Sequence, residues 1–276
     1  MRRRDFIPAA AAALAAPASY SAVTRKDNIK QSVCKWCYKD ISVEDLARHS
    51  ARLGIKGMDL IGPDDWPAVL KHGIVPTMAP GAGSIAEGTN RVANHAAMEK
   101  AFKESITKAA AAKVPNVITF SGPRKGMSDQ EGLDNSVLIL NKVKAFAEDK
   151  GVTICLELLN SKIDHKDYMA DHTLWGAELI KRVASPRVKL LYDIYHMQIM
   201  EGDVIRTIRD NFQYIGHYHT GGVPGRNEID AAQELNYKTI TRAIIDLGFK
   251  GYMAHEFIPK RDPVASLAEA AELCDV

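Results

Sequence analysis

The 276-residue sequence has four cysteines, no excess of charge of one sign and no long apolar run. Each shortage excludes something. So few cysteines in a chain of this length exclude a disulfide scaffold. With 36 Lys+Arg against 34 Asp+Glu, the chain lacks the basic excess of an extended nucleic-acid face. The longest apolar stretch near the start, 9–16, falls short of a membrane span, which needs roughly 20 residues. No G-x-G-x-x-G follows the first β-rich run, so the dinucleotide fingerprint is missing. No linker of low complexity divides the chain after residue 22, so one domain over 23–276 is expected. What is present is an ordinary globular mix, 46% hydrophobic and 25% charged. That mix rules out a disordered or fibrous chain.

The first residues read as a targeting segment. Arg2-Arg3-Arg4 precede Phe6-Ile7-Pro8 and an alanine-rich run. A positive start, a short apolar stretch and small residues are the parts of an export signal. Arg3-Arg4-Asp5-Phe6-Ile7 resembles the twin-arginine pattern, and Ala16-Pro17-Ala18 offers a cleavage site before Ser19. The sequence therefore predicts a signal peptide over 1–18 and an exported, periplasmic protein. It predicts no contact with the membrane once the signal is removed. Residues 1–18 hold three Arg and one Asp, so the rest of the chain is formally neutral.

Cys34 and Cys37 have the C-x-x-C spacing of a zinc or redox pair. Their segment, 30–38, reads as a strand, on which residues three apart face opposite ways. No second pair completes a zinc site, so packing is the expected role. Gly81-Ala82-Gly83 is a lone glycine-rich loop and weak evidence for a phosphate site.

Past residue 30, β-rich runs alternate with amphipathic ones. Strands are expected at 32–38, 57–61, 74–78, 116–121, 153–158, 189–194, 214–219 and 252–257. Helices are expected at 43–53, 66–71, 91–113, 133–149, 173–183, 204–211, 237–247 and 263–273. Ser42 followed by Glu44 and Asp45 reads as a capped helix start. Gly54, Gly73, Gly151 and Gly248 sit at expected helix ends. Eight such units predict a parallel sheet closed into a (β/α)8 TIM barrel, with an open doubly wound sheet as the alternative.

Active sites of such barrels lie at the C-terminal strand ends. Four consecutive strands carry ionisable groups there. Glu157 stands in the apolar run Cys155-Leu156-Glu157-Leu158, where a carboxylate is costly unless paired or metal-bound. Asp193 follows Leu190-Leu191-Tyr192, with His196 just beyond. His217 and His219 share a face of the seventh strand, and Glu256 shares one with Ala254 and Tyr252. Glu157, Asp193, His219 and Glu256 together make an oxygen-rich ligand set for Mn2+, Mg2+ or Co2+. Four separately satisfied buried polar groups are the plainer alternative. His217, one layer below, would orient His219 or pack in the core. Trp36 and Trp66 would line a sugar-sized pocket or pack. Lys162 and Lys166 read as solvated.

These segments resemble the hydroxypyruvate isomerase branch of the xylose isomerase-like barrels, within the sugar isomerase/epimerase superfamily. The resemblance spans 30–260 and is strongest over 193–203, then over 216–228, 157–160 and 255–256. It implies that Glu157, Asp193, His219 and Glu256 are metal ligands, that Glu157 and Glu256 are the acid/base pair, and that His196 and Arg226 contact substrate. It implies a small-molecule sugar or hydroxy keto acid substrate, and a homo-oligomer. His219 stands where the resembled isomerases carry Gln and the related ketose 3-epimerases carry His. The loop 161–172 is longer and more charged than theirs. Expected functions are therefore conversion of hydroxypyruvate to tartronate semialdehyde, 3-epimerisation of a ketose, or isomerisation of an exported keto sugar. A non-catalytic sugar-binding barrel and an apurinic endonuclease are the competing classes. The neutral chain disfavours the endonuclease.

Overall fold

Parallel neighbours cannot be joined by a tight turn, so each pair of strands needs a crossover, here helical. The computed structural model describes residues 23–276, and the expected signal segment 1–18 lies outside the described residues. In chain order the elements are β1 (Lys30–Cys34), α1 (Val43–Arg52), β2 (Gly57–Asp59), α2 (Trp66–Leu70), β3 (Val75–Ala82) and α3 (His95–Ala111). Then follow β4 (Asn116–Thr119), α4 (Asp129–Lys150), β5 (Thr153–Glu157), α5 (Thr173–Val183), β6 (Val188–Asp193) and α6 (Ile194–Met200). The chain closes with α7 (Val204–Asn211), β7 (Ile215–Thr220), α8 (Tyr237–Asp246), β8 (Tyr252–His255) and α9 (Pro263–Leu273). All strand pairs are parallel, and β1 pairs with β8, which closes the barrel. The doubly wound alternative is excluded. Among the described residues no helix is long and apolar enough to cross a membrane.

Local chemistry sets the helix limits. The Ser42 hydroxyl accepts from the Asp45 N–H at 3.0 Å and starts α1, as a capping serine does. Gly151 ends α4 in the left-handed conformation that favours glycine. The strand expected at 32–38 stops at Cys34, because Lys35–Cys37 turns into a 3-10 segment. Cys34 and Cys37 are therefore not strand residues three apart. Both are buried free thiols packed in the core, and Cys34 Sγ also lies 3.8 Å from His219 Nε2. A helix that the sequence reading lacked, α6, begins where β6 ends. Asp193 both finishes the strand and caps the helix, accepting from the His196 N–H at 3.2 Å.

The core has two parts. A large apolar layer lies between strands and helices. Inside the barrel Met78, Ile118, Cys155 and Leu191 form a small cluster against the partly buried Leu60 and Phe120. This inner layer is the floor beneath the C-terminal mouth.

One buried tyrosine ties that mouth together. The Tyr168 hydroxyl accepts from Ser121 N–H and donates to the Glu157 carbonyl, each at 2.9 Å. It thus links the end of β4 to the end of β5. Tyr168→Phe leaves two buried backbone groups without that partner. Unfolding in urea should show a loss of about 1–3 kcal/mol; no change would mean that the link does not stabilise the fold.

Candidate active site

The register explains how four distant residues meet. Asp193 lies opposite His219 on β7, and His219 opposite Ala254 on β8. Glu157 lies opposite Leu191, two residues before Asp193, and Glu256 comes two residues after Ala254. Steps of two keep every side chain on the inner face, and the barrel's stagger brings them to one level. All four are buried, and one ligand atom from each lies within 4.8 Å of the others. His219 Nδ1 is 2.6 Å from Glu256 Oε2, 3.4 Å from Glu157 Oε1 and 4.0 Å from Asp193 Oδ2. It makes no aligned hydrogen bond to any of them.

Three carboxylates in one dry space repel each other unless cations intervene. Arg226 supplies one. Its Nη2 donates to Asp193 Oδ2 at 2.5 Å and to Glu256 Oε2. The guanidinium also lies over the Tyr195 ring, 4.7 Å from its centroid, a cation–π placement. Within the loop 221–228, Arg226 has a positive φ, a backbone conformation uncommon outside glycine. Trp36 donates its indole N–H to Glu256 Oε1 at 2.6 Å.

These neighbours drive the two glutamates apart. Burial pushes the Glu157 carboxyl up to about 7; His219 opposes this and Glu256 adds to it. Burial would also raise Glu256, but Arg226 and His219 outweigh it and hold the group well below the usual carboxylate range. Two carboxyls with opposed affinities for a proton are the pattern of an acid/base pair.

Beneath the cluster lies a group that sequence reasoning missed. Asp59, at the end of β2, is fully buried. Its Oδ1 accepts from Ser32 Oγ at 2.6 Å and from Thr77 Oγ1. Its Oδ2 lies 2.6 Å from His217 Nε2 and 3.2 Å from His219 Nε2. Burial would raise the Asp59 carboxyl, yet both histidines hold it far below its ordinary value, so it is an acceptor. His219 Nε2 therefore carries a proton toward Asp59, and its Nδ1 faces the other three acids. His217 also meets His219 directly, edge to face, with ring centroids 5.3 Å apart. The same criterion that singled out Glu157, a carboxylate in an apolar strand, also fits Asp59.

His196 is buried beside Arg226. Asn160 Oδ1 accepts from the Ile163 and Asp164 N–H groups at 3.0 and 2.9 Å, which fixes its amide. Its Nδ2 then donates to His196 Nδ1 at 2.6 Å. On its other side, His196 Nε2 lies 3.1 Å from Arg226 Nη1, which can only donate. Burial, opposed by Asp193, lowers the His196 pKa to about 3, so the ring stays neutral.

The loop 161–172 is exposed over its first half and tied down by side-chain contacts. Lys162 Nζ donates to the carbonyls of Ile199 and Met200 at 3.0 and 2.9 Å. It thereby caps the end of α6 while staying exposed, as the sequence predicts. Lys166 is exposed. Arg124 grips Asp171 with two hydrogen bonds of 3.0 and 3.1 Å, a bidentate pairing. Trp66 is buried and donates to the Ile61 carbonyl, so it packs, whereas Trp36 stands at the mouth of the cavity.

That cavity measures about 680 Å³ and opens over the cluster. Glu157, His196, Arg226 and Glu256 line it.

Comparison with known proteins agrees with the barrel fold. Residues 68–275 match the family described as xylose isomerase-like TIM barrel. A human protein named for hydroxypyruvate isomerase is 29% identical over 187 residues, 68% of this chain and 55% of that one. A 2-oxo-tetronate isomerase from Cupriavidus necator is 33% identical over 135 residues, 49% of this chain and 50% of that one. The chain thus spans about half the length of these relatives. A crystal structure of an AP endonuclease, family 2, from Brucella melitensis superposes with a TM-score of 0.79 at 21% identity, covering 88% of this chain and 99% of that one. At that identity the likeness concerns the fold.

Proposed function

The chain belongs to the xylose isomerase-like TIM barrel family, and from that premise we propose that it is a metal-dependent isomerase or epimerase. It moves a proton between carbons next to a carbonyl. The observation that carries this reading is the buried set Glu157, Asp193, His219 and Glu256. The donor set fits a divalent ion. It offers three carboxylates, and a His219 Nδ1 with no aligned hydrogen bond. Mn2+, Mg2+ or Co2+ suits such oxygen-rich ligands. When bound, the ion would supply Lewis-acid polarisation of the carbonyl and its adjacent hydroxyl.

The protein's own groups do the rest. Glu157 ends β5 and Glu256 follows β8, and both reach the cavity. One takes the carbon proton to give an enediolate, and the same group or its partner returns a proton. Return to the neighbouring carbon gives isomerisation; return to the opposite face of the same carbon gives epimerisation. His196 and Arg226 line the cavity beside the two glutamates and would contact the substrate.

Three finer readings stand on different grounds. Conversion of hydroxypyruvate to tartronate semialdehyde rests on the resemblance over 193–203 and 216–228, 3-epimerisation of a ketose on His219, and isomerisation of an exported keto sugar on the segment 1–18 and the cavity of about 680 Å³. Residues 1–18 support action outside the cytoplasm. The test is a screen of hydroxypyruvate, tartronate semialdehyde and ketoses with added Mn2+, followed by NMR. Turnover that EDTA abolishes and Mn2+ restores is expected. Binding of a sugar without product would support the non-catalytic barrel instead.

A further inference from the structure

The walls of the cavity are unlike those of a site for a small charged acid. Leu60, Ile118 and Phe120 form its floor. Trp36, Ile85, Ile163 and Ile258 line it as well, and all four are exposed to solvent, Ile163 at 65%. Large apolar side chains gathered at a mouth mark a binding surface, whereas scattered ones do not. The cavity volume of about 680 Å³ lies within the range of sites for drug-sized ligands. A three-carbon hydroxy keto acid would leave most of it to water. Arg226 is the one Lys or Arg among the described residues that line the cavity, and both Asp193 and Glu256 hold it. A substrate carboxylate or phosphate would have to compete with them.

Resting on the isomerase reading above, we propose that the substrate is a neutral keto sugar bearing an apolar substituent. Its hydroxy-ketone end meets Glu157 and Glu256. Its far end, an aryl or alkyl aglycone, lies against Phe120 and the rim formed by Trp36, Ile85, Ile163 and Ile258. This occupant is favoured over a protein partner because the apolar wall and the acid cluster line one continuous cavity. An aromatic aglycone would gain both apolar contact and offset stacking on Trp36 and Phe120.

The test uses the full-length protein processed at its signal, loaded with Mn2+, and three probes with the same reacting end. They are 3-keto-glucose, its methyl glycoside and its phenyl glycoside. Exchange of the proton next to the ketone is followed by NMR in D2O, and binding by tryptophan fluorescence. The expected result is a kcat/KM for the phenyl glycoside about ten-fold or more above that for the methyl glycoside. In Ile163→Ser and Ile258→Ser that ratio should fall toward one, with tighter phenyl binding lost in parallel. Exchange at equal rates on all three probes overturns the apolar-substituent inference and leaves the isomerase reading standing. No exchange on any probe, with hydroxypyruvate turned over, does the same. No exchange on any probe or on hydroxypyruvate overturns both. If the serine variants break a dimer and leave the phenyl-to-methyl ratio unchanged, the rim belongs to a second copy and the inference fails.

Discussion

Glu157→Gln and Glu256→Gln are each expected to lower turnover by about 10²–10⁴-fold, the usual share of a positioned acid or base. Both substitutions keep the shape of the side chain and remove its capacity to exchange a proton. Folding should survive them for different reasons. Glu157 lies buried among other acids, and its raised pKa records how poorly the site tolerates its charge. The amide removes that charge, so stability should hold or rise. Glu256 is held by Arg226, His219 and Trp36. In Glu256→Gln, Arg226 keeps Asp193 and the indole keeps an oxygen acceptor. Melting temperature and proton exchange measured on the same samples separate the two effects. Full turnover in both variants would remove Glu157 and Glu256 from the chemistry.

Asp59→Asn is expected to weaken Mn2+ binding about 10–100-fold, the usual effect of removing a carboxylate that orients a liganding histidine. Asp59 is absent from the cavity lining and acts through His219. Its carboxylate draws the Nε2 proton and so leaves Nδ1 facing Glu157, Asp193 and Glu256. The amide puts an N–H where two imidazoles and two hydroxyls need an acceptor. Breaking such a buried pair costs about 3–5 kcal/mol. Calorimetric titration of the folded variant with Mn2+ reads the affinity directly. His217→Gln, which leaves Asp59 and His219 facing each other, checks the same link with a smaller expected loss. Unchanged affinity in Asp59→Asn would make Asp59 a packing residue.

Much of this was legible in the sequence, and for physical reasons. Helices α5, α7 and α9 begin and end where their apolar periodicity and flanking signals place them. Glu157 was visible because a carboxylate inside an apolar strand needs a partner. Asp193, His219 and Glu256 were visible because they follow on consecutive strands. Other features depended on contacts distant in sequence. Asp59 lies 158 and 160 residues from the histidines it holds. Trp36 reaches a carboxylate 220 residues away. Lys162 reads as a loop lysine because the carbonyls it caps belong to α6, a helix concealed by beginning on the last residue of a strand. The apolar cavity wall was illegible for the same reason, since Ile85, Ile163 and Ile258 lie on three separate loops.

Anomalous diffraction from crystals grown with Mn2+ tests the central claim most directly. One strong peak among Glu157, Asp193, His219 and Glu256 is the predicted result. No peak among those four, or a peak beside Cys34, Asp59 and His219 instead, would contradict it.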